Sequence, residues 1–329
     1  MPKIEDVAKH AGVSVTTVSR VLNDRGYISQ KTRDNVHRAM QELNYQPNEM
    51  ARALFRKKSH MIGLIVPDVS HPFFSELAYY VELAADRHGY KLLLCNSKRA
   101  IAKEKQYIDM LRKNKVDGII MGSSVLDVDH YLHLELPIIS LDRQLSADIP
   151  VVTSDNVLGG QLAAQRLLEK GCQYPAYVYR GLGGPHHDAM LASGRVQGYG
   201  SVLEAAGIQP LHVQLDATVS QEQSVNLELV RFLQEHPEVD GIFASSDVIA
   251  AEVIQACHHC GIQVPERLGV IGYDDVNIAS LVTPRLTTIR QPIEEMATCL
   301  IEMLLRHIVG DRIPHETVLP VSLIERATT

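Results

Sequence analysis

The chain has 329 residues, 45% of them apolar, which is enough to bury more than one hydrophobic core. Its five cysteines are an odd number at irregular positions, so we expect no disulfide framework. The sequence shows neither a signal peptide nor an apolar run of 18 residues, so we expect a cytoplasmic protein without a membrane span. Residues 1–60 hold 11 Lys+Arg against 6 Asp+Glu, whereas the remainder holds 21 against 33, so only the head is suited to bind a polyanion.

The first predicted element is a pair of short helices joined by a glycine. The first helix would end at Gly12, and Ser14 is a natural N-cap for the second. Apolar residues recur at helical spacing in both helices, at Ile4, Val7, Ala8 and Ala11 and then at Val15, Val18, Val21 and Leu22. This arrangement predicts a helix-turn-helix.

A third helix is predicted to begin after Ser29 and to run to about Leu43, with Pro47 ending it. Its core face would consist of Thr32, Val36, Ala39, Met40 and Leu43. Residues 1–46 are therefore predicted to form a small all-α domain.

The second helix of a helix-turn-helix lies in the major groove, with its N-terminal residues near base edges. Val15, Thr16 and Arg20 are the candidates for base contact, because an arginine can bond guanine bidentately. Ser14, Thr17, Ser19 and Asn23 offer polar groups for the phosphate backbone. A generic helical bundle could show the same periodicity, but the basic charge of the head favours double-stranded DNA.

Residues 47–58 are predicted to form a hinge. Asn48 can cap a short helix from Glu49 to about Phe55, which is marginal alone and is expected to order only on DNA. Ala51 and Leu54 would face the minor groove, with Leu54 as an apolar wedge. An ordinary basic linker is the alternative.

The rest of the chain alternates apolar, β-rich runs with helical stretches, which indicates parallel sheets covered by helices on both faces. The predicted strands are Ile62–Val66, Leu92–Cys95, Gly118–Met121, Ile138–Leu141, Ala176–Tyr179, His212–Leu215, Gly241–Ala244 and Val270–Gly272. About 270 residues suit two α/β lobes with a cleft between them. The predicted class is α/β, with an all-α head and a two-lobed body.

Ligands of such sheets bind beyond the carboxyl ends of the strands. Four carboxylates follow predicted strands and could accept hydrogen bonds from paired sugar hydroxyls: Asp68, Asp142, Asp247 and Asp274. Phe73 and Phe74 could stack on the apolar face of a sugar. Each of these residues could instead be a turn residue or a helix cap, Asp247 in particular.

The head, EDVAKHAGVSVTTVSRVLN with SQKTRDNVHRAMQELNYQPN and MARAL, resembles that of the lactose- and galactose-repressor family of bacterial regulators. The body continues the resemblance in MIGLIVPDVSHPFFSEL, SDNVLGG, GRVQGY, ASSDVIAAE, GVIGYDDVNIASLVTPRLTTIRQP and LPVSLIER. The resemblance implies that 59–329 is an effector and dimerisation domain whose chain crosses between lobes near Asn156, Thr288 and Leu319. Lobe 1 would cover about 60–156 and 289–318, and lobe 2 about 157–287 and 319–329.

The resemblance also implies that Arg195 and Gln291 contact the effector. A single head buries little surface, so a homodimer reading a pseudo-palindromic operator is expected.

The chain looks closest to sucrose and ribose repressors, which implies a mono- or disaccharide or a sugar phosphate as inducer. A nucleobase or a phosphoprotein coregulator stays open, as does, in another class, a free-standing sugar-binding protein. The stretch RGLGGPHH at 180–187 departs from the family pattern and leaves closure of lobe 2 in doubt.

The same architecture hosts enzymes, but the chain has no P-loop, GxSxG or HExxH motif, so we expect no catalysis and no cofactor.

The cluster Cys257-His258-His259-Cys260 has zinc-ligand side chains but no second ligand pair nearby. We interpret it as two semi-buried cysteines and two solvated histidines at a helix end that Gly261 terminates, with no metal.

Overall fold

The computed structural model describes residues 2–46, 58–122, 136–180, 194–216 and 225–329. The chain divides into two compact units, one formed by residues 1–61 with 115–117 and the other by residues 62–114 with 118–329. The predicted class is confirmed, because a small helical unit precedes two mainly parallel sheets flanked by helices.

The head contains three helices around one small core. They are α1 (Ile4–Ala11), α2 (Val15–Leu22) and α3 (Gln30–Glu42). Ser14 and Ser29 accept hydrogen bonds from the backbone N–H groups of Thr17 and Thr32, which confirms both predicted N-caps. The buried core is Val7, Ala8, Val18, Val21, Val36 and Ala39.

The predicted end of the third helix near Leu43 is confirmed, because α3 ends at Glu42 with Leu43 as its C-cap, and Asn44 follows with a left-handed φ of 48°. Two details of the predicted head are wrong. Thr32 bonds the hydroxyl of Ser29 and belongs to the cap, not to the core. Val15 is 40% exposed and faces away from the core. The predicted hinge residues Asn48, Ala51 and Leu54, like Pro47, lie outside the described residues.

The body contains twelve strands in the part of the chain that the structure describes. They are β1 (Met61–Val66), β2 (Lys91–Asn96), β3 (Gly118–Met121), β4 (Ile138–Leu141), β5 (Val151–Ser154), β6 (Pro175–Arg180), β7 (Leu211–Leu215), β8 (Gly241–Ala244), β9 (Gly269–Asp274), β10 (Thr287–Arg290), β11 (Glu316–Leu319) and β12 (Ser322–Ile324). The helices are α4 (Pro72–Arg87), α5 (Ile101–Lys113), α6 (Asn156–Glu169), α7 (Gly194–Ala205), α8 (Leu227–Glu235), α9 (Asp247–His259), α10 (Ile278–Leu281) and α11 (Ile293–Ile308).

The strands form two six-stranded sheets. The first has the order β11-β5-β4-β3-β1-β2 and defines lobe 1, and the second has the order β12-β10-β9-β8-β6-β7 and defines lobe 2. The pairing of β10 with β12 is antiparallel, whereas the other recorded pairings are parallel. The sequence predicted eight of these strands and missed β5, β10, β11 and β12, which lie where the chain passes between the sheets.

Each sheet is covered by amphipathic helices, as the near-continuous apolar strands require. In lobe 1 the helices α4 and α11 bury one face of the sheet around Leu77, Val81 and Met296. In lobe 2 the helices α8 and α9 cover one face, and α6 and α7 cover the other, where Tyr177 and Tyr199 are buried. No helix in the described residues is both long and apolar enough to cross a membrane.

The Cys-His-His-Cys cluster lies at the end of α9. Cys257 is buried in the core of lobe 2, and burial raises the pKa of its thiol to about 12, so the thiolate that a metal needs is strongly disfavoured there. Cys260 is half-buried, and Gly261 follows with a φ of 71°. Within the described residues, no three His, Cys, Asp or Glu side chains are grouped so that they could hold a metal ion.

Candidate functional site

The site lies where the carboxyl ends of strands from the two lobes meet. Asp142 follows β4 and Ser154 ends β5 in lobe 1, while Asp274 ends β9 and Gln291 follows β10 in lobe 2. The Ser154 hydroxyl donates to Gln291 Oε1 at 2.7 Å, and Gln291 Nε2 donates to Asp274 Oδ1 at 2.7 Å. This chain of hydrogen bonds connects the ends of the two sheets.

Arg195, in the first turn of α7, contacts one group of lobe 1 and three groups of lobe 2. Its Nε donates to Asn156 Oδ1 at 2.7 Å, its Nη1 donates to the Ser245 carbonyl at 2.9 Å, and its Nη2 lies 3.6 Å from Asp142 Oδ2. Its guanidinium also lies 3.6 Å above the centre of the Tyr273 ring, within cation–π range. The side chain is therefore fixed by groups from both lobes.

Asp142 is the lobe 1 carboxylate of the site. Its Oδ1 accepts hydrogen bonds from the Thr153 hydroxyl at 2.8 Å and from Asn156 Nδ2 at 2.9 Å. The seven side chains Asp142, Thr153, Asn156, Arg195, Tyr273, Asp274 and Gln291 are called the interlobe cluster below. The backbone is strained at both carboxylates, because Asp142 has a φ of 61° and Asp274 a φ of 112°, and such strain is often found at functional sites.

The electrostatics of the interlobe cluster follow from burial and from the central arginine. Burial by itself lowers the pKa of Arg195, but Tyr273, Asp142 and Asp274 more than reverse this effect, so the guanidinium stays charged. Burial raises the pKa of Asp274, although Arg195 and the Gln291 hydrogen bond oppose the rise. The cluster thus presents a fixed cation beside carboxyl groups that can accept hydrogen bonds.

Of the residues predicted from sequence, the structure brings Asp142, Arg195, Asp274 and Gln291 together. It also adds Thr153, Asn156 and Tyr273, which the sequence reasoning did not select as ligand contacts. A signal was present, because the polar run Thr153 to Asn156 directly follows the apolar Val151 and Val152. That run was missed because β5 has only two apolar residues before Thr153 and Ser154 and was not recognised as a strand.

The other predicted effector residues are placed differently. Asp247 is fully buried, and its two oxygens accept from the Thr288 hydroxyl at 2.5 Å and the Val276 N–H at 2.8 Å, so its carboxyl group is not accessible to an effector in this structure. Asp68 accepts from the N–H and the hydroxyl of Ser70. Phe73 is buried in the core of lobe 1, and Phe74 is half-buried against it.

The alternative prediction that Asp247 caps a helix is wrong. The N-cap of α9 is Ser246, whose hydroxyl accepts from the Ile249 N–H at 3.4 Å. Asp247 is the first residue of the helix, and its carboxyl group connects α9 to the loop after β9 and to β10. It therefore supports the site from behind.

A separate open cavity of about 720 Å³ lies beside Gln291. Its lining includes four acidic residues of α4 and α11: Glu76, Glu294, Glu295 and Glu302. Arg290, the basic residue of this lining, forms an ion pair with Asp275 at 2.7 Å, so its charge is already balanced. Of the interlobe cluster it includes only Gln291, so it is not the site described above.

In the head, α2 has one buried and one exposed side. Val18 and Val21 are buried, whereas Val15, Thr16 and Arg20 are exposed. Ser14 and Thr17 bond each other through their hydroxyls at 2.9 Å, and Asn23 Nδ2 donates to the Ser19 carbonyl at 2.8 Å. The three predicted base-contact residues thus lie on a solvent-facing side of the helix.

The fold defines a class of protein: a helix-turn-helix DNA-binding head followed by a two-lobed, effector-binding body. A family model for bacterial regulatory proteins of the lacI family matches residues 3–48, and one for the periplasmic binding protein-like domain matches residues 164–329. The chain belongs to the lacI family, whose members bind DNA as transcriptional regulators.

Among similar proteins is the ribose operon repressor of Halalkalibacterium halodurans, 41% identical over 100% of this chain and 97% of the relative. The sucrose operon repressor of Streptococcus mutans is also 41% identical, over 98% of both chains. Among solved structures, the lac repressor dimer bound to operator and an anti-inducer, ONPF, has a TM-score of 0.84 and 26% identity over 99% of this chain and 98% of that one. The relatives are transcriptional repressors.

Proposed function

We propose that this protein represses a carbohydrate-utilisation operon and that a sugar bound at the interlobe cluster lowers its affinity for the operator. One observation carries the proposal: Arg195 is held between Asp142 of lobe 1 and Asn156, Ser245 and Tyr273, beside Asp274. The similarity to ribose and sucrose operon repressors supports the choice of a sugar.

The chemistry of the interlobe cluster suits a polyol. Adjacent sugar hydroxyls can donate to the carboxylates of Asp142 and Asp274 and accept from the guanidinium of Arg195. Phe74, half-buried near the amino end of α4, could cover an apolar face of the ring. The sugar would replace hydrogen bonds that now close the cluster, such as that between Asn156 and Asp142.

Residues 1–46 are proposed as the DNA-binding domain and residues 59–329 as the effector and dimerisation domain. Val15, Thr16 and Arg20 would contact base edges, while Ser14, Thr17, Ser19 and Asn23 would contact the phosphate backbone. Two heads of a dimer would read a pseudo-palindromic operator in the bacterial cytoplasm. Because Arg195 and Asp142 lie on different lobes, a bound sugar would favour one arrangement of the lobes, with a coupling of about 1–3 kcal/mol, or about 5- to 150-fold in operator affinity.

The test begins with a thermal-shift panel of sugars, sugar phosphates and nucleobases, since a ligand of the folded state raises the melting temperature. A stabilising sugar is then added to a complex with labelled operator, and release is followed by fluorescence anisotropy. Asp274→Ala should abolish release while operator affinity in the absence of sugar changes less than twofold. Asp311→Ala, which removes an exposed carboxylate, is the control and should respond like the parent protein.

Two results would contradict the proposal. A fully responsive Asp274→Ala protein would remove Asp274 from the site. A panel in which only a nucleobase stabilises the protein, and tightens operator binding, would replace the sugar inducer by a corepressor.

A further inference from the structure

A second group of polar side chains lies beside the interlobe cluster and is not used by it. His71 immediately precedes α4, Arg99 follows β2 by three residues, and Arg180 ends β6. Two of these residues belong to lobe 1 and one to lobe 2. We call His71, Arg99 and Arg180 the cationic set, in which the two arginines carry the charge and His71 is an uncharged hydrogen-bonding group.

The cationic set holds unused hydrogen-bonding atoms. His71 Nδ1 and Arg180 Nε are two of the three buried side-chain nitrogen or oxygen atoms that have no partner among the described residues. Buried polar atoms are almost always hydrogen-bonded, so two such atoms in one region indicate a ligand that satisfies them. Arg180 is not simply misplaced, because its Nη2 is fixed by both oxygens of Glu252, at 2.7 and 3.0 Å.

His71 follows β1, Arg99 follows β2 and Arg180 ends β6, so the set lies at the carboxyl ends of strands of both sheets, as the interlobe cluster does. The electrostatics of His71 are consistent with this placement. Burial lowers the pKa of His71 to about 4, and Arg99, Arg195 and Arg180 lower it further, while only Asp68 opposes them. Burial likewise lowers the pKa of Arg99, with Asp68 opposing and Arg180 adding to the effect. Positive side chains from the loop after β2, from β6 and from α7 thus all lower the pKa of one histidine, and a bound anion would offset their charge.

The amino end of α4 adjoins the set, because His71 is its N-cap residue. This helix has 16 residues, begins with Pro72 and has no side-chain cap at His71. The N–H groups of Phe74 and Ser75 bond the His71 carbonyl, whereas the described residues provide no acceptor for the Phe73 N–H. A free N–H at a helix amino end is a favourable donor to an anion.

We propose that the cationic set and the amino end of α4 form a subsite for a phosphate group, so that the effector is a phosphorylated sugar. This inference rests on the proposed function, since the interlobe cluster would hold the sugar hydroxyls. Arg99 is the principal cation of the subsite: unlike Arg180 and Arg195, it has no carboxylate within ion-pair distance among the described residues. Four donors from three segments suit the several acceptor oxygens of a phosphate better than one uncharged hydroxyl.

The test compares matched pairs of ligands by calorimetry on the full-length protein. The pairs are ribose with ribose 5-phosphate, fructose with fructose 6-phosphate, and sucrose with sucrose 6-phosphate, and inorganic phosphate is titrated alone. We expect at least one phosphorylated sugar to bind about tenfold or more tightly than its unphosphorylated partner, as a charge-assisted hydrogen bond in a buried site provides.

Arg99→Gln is the test variant, and Lys98→Gln is its matched control. Both residues have a left-handed φ, of 55° and 51°, so the backbone demand is the same, but Lys98 is exposed. Arg99→Gln should reduce the preference for the phosphorylated partner at least about tenfold, while affinity for the unphosphorylated sugar stays within twofold. Lys98→Gln should leave both affinities within twofold.

The outcomes separate this inference from the proposed function. If a sugar binds and releases operator equally well with and without phosphate, the phosphate subsite is refuted and the sugar-controlled repressor stands. If Lys98→Gln reduces the preference as much as Arg99→Gln, general charge is responsible and the subsite is also refuted. If neither member of any pair binds, both proposals are rejected.

Discussion

Asp247 shows how a single carboxyl group in this fold depends on burial. Its side chain is fully buried behind the interlobe cluster, where it accepts hydrogen bonds from Thr288 and Val276. Burial raises its pKa well above the ordinary 3.8, and the neighbouring Asp274 raises it further. In the folded protein this group therefore holds a proton that the unfolded chain releases at lower pH.

The sign of the resulting pH dependence follows from proton binding. Above about pH 4 the folded state binds more protons at Asp247 than the unfolded state, so the contribution of this group to the free energy of unfolding falls as pH rises towards neutrality. An asparagine keeps the size of the side chain and does not titrate. The melting temperature of Asp247→Asn, relative to the parent protein, should therefore increase between pH 5 and pH 8.

Differential scanning calorimetry at several pH values would measure this change. Asp148→Asn alters an exposed carboxylate and serves as the control, whose difference from the parent should stay constant. A relative melting temperature of Asp247→Asn that decreases with pH would show that the Asp247 carboxylate is favoured by folding.

At the level of elements, the contact between α6 and α7 decides where Arg195 lies. A Cβ at Gly160 of α6 would collide with the carbonyl oxygen of Arg195, and a Cβ at Gly198 of α7 would collide with the carbonyl oxygen of Val157. Glycine at both positions lets the two helix backbones approach far more closely than ordinary side chains allow. This contact brings the first turn of α7 next to Asn156.

Gly160→Ala should destabilise the protein by about 1–3 kcal/mol, the usual effect of adding a methyl group to a filled interior. It should also weaken effector binding, because the backbone of Arg195 must move. Gly200→Ala is the matched control in α7: its added Cβ meets no atom within 4 Å, and alanine should stabilise the helix by about 0.5–1 kcal/mol.

Urea unfolding would compare the two variants through their midpoints at constant m. Equal stability of Gly160→Ala and the parent would mean that the helices separate easily. The position of Arg195 would then not depend on their close contact.

For the whole molecule, dimerisation is expected to determine how tightly DNA is bound. Only six buried residues among those described form the core of the head, so the head is a small domain and offers limited surface for a specific interface with DNA. Linking two heads makes the second contact intramolecular, which raises the apparent affinity by about 10²–10⁴-fold when both half-sites are present.

This prediction can be measured once an operator has been selected from a pool of random duplexes. Fluorescence anisotropy should show that a duplex with one half-site scrambled binds about 10²–10⁴-fold more weakly than the intact operator of the same length. Equal affinity for the two duplexes would mean that a single head accounts for the binding.

Local signals in the sequence accounted for much of the fold. The N-caps Ser14 and Ser29, and the strands Gly118–Met121, Ile138–Leu141 and Gly241–Ala244, were predicted at their observed positions. These features depend on side chains a few residues apart, so the sequence contains the information directly. The end of α3 was also predicted to within one residue, because Leu43 is its C-cap.

The sequence by itself determined the helices of the head, the apolar strands and the carboxylates at their ends. Only the tertiary structure decided which of those carboxylates meet. Asp142 and Arg195 approach to 3.6 Å across two lobes, whereas the equally well-placed Asp247 turns towards the interior. The reason is physical: short crossing strands and the glycine contact between α6 and α7 set these distances, and such long-range packing leaves no periodic signal in the chain.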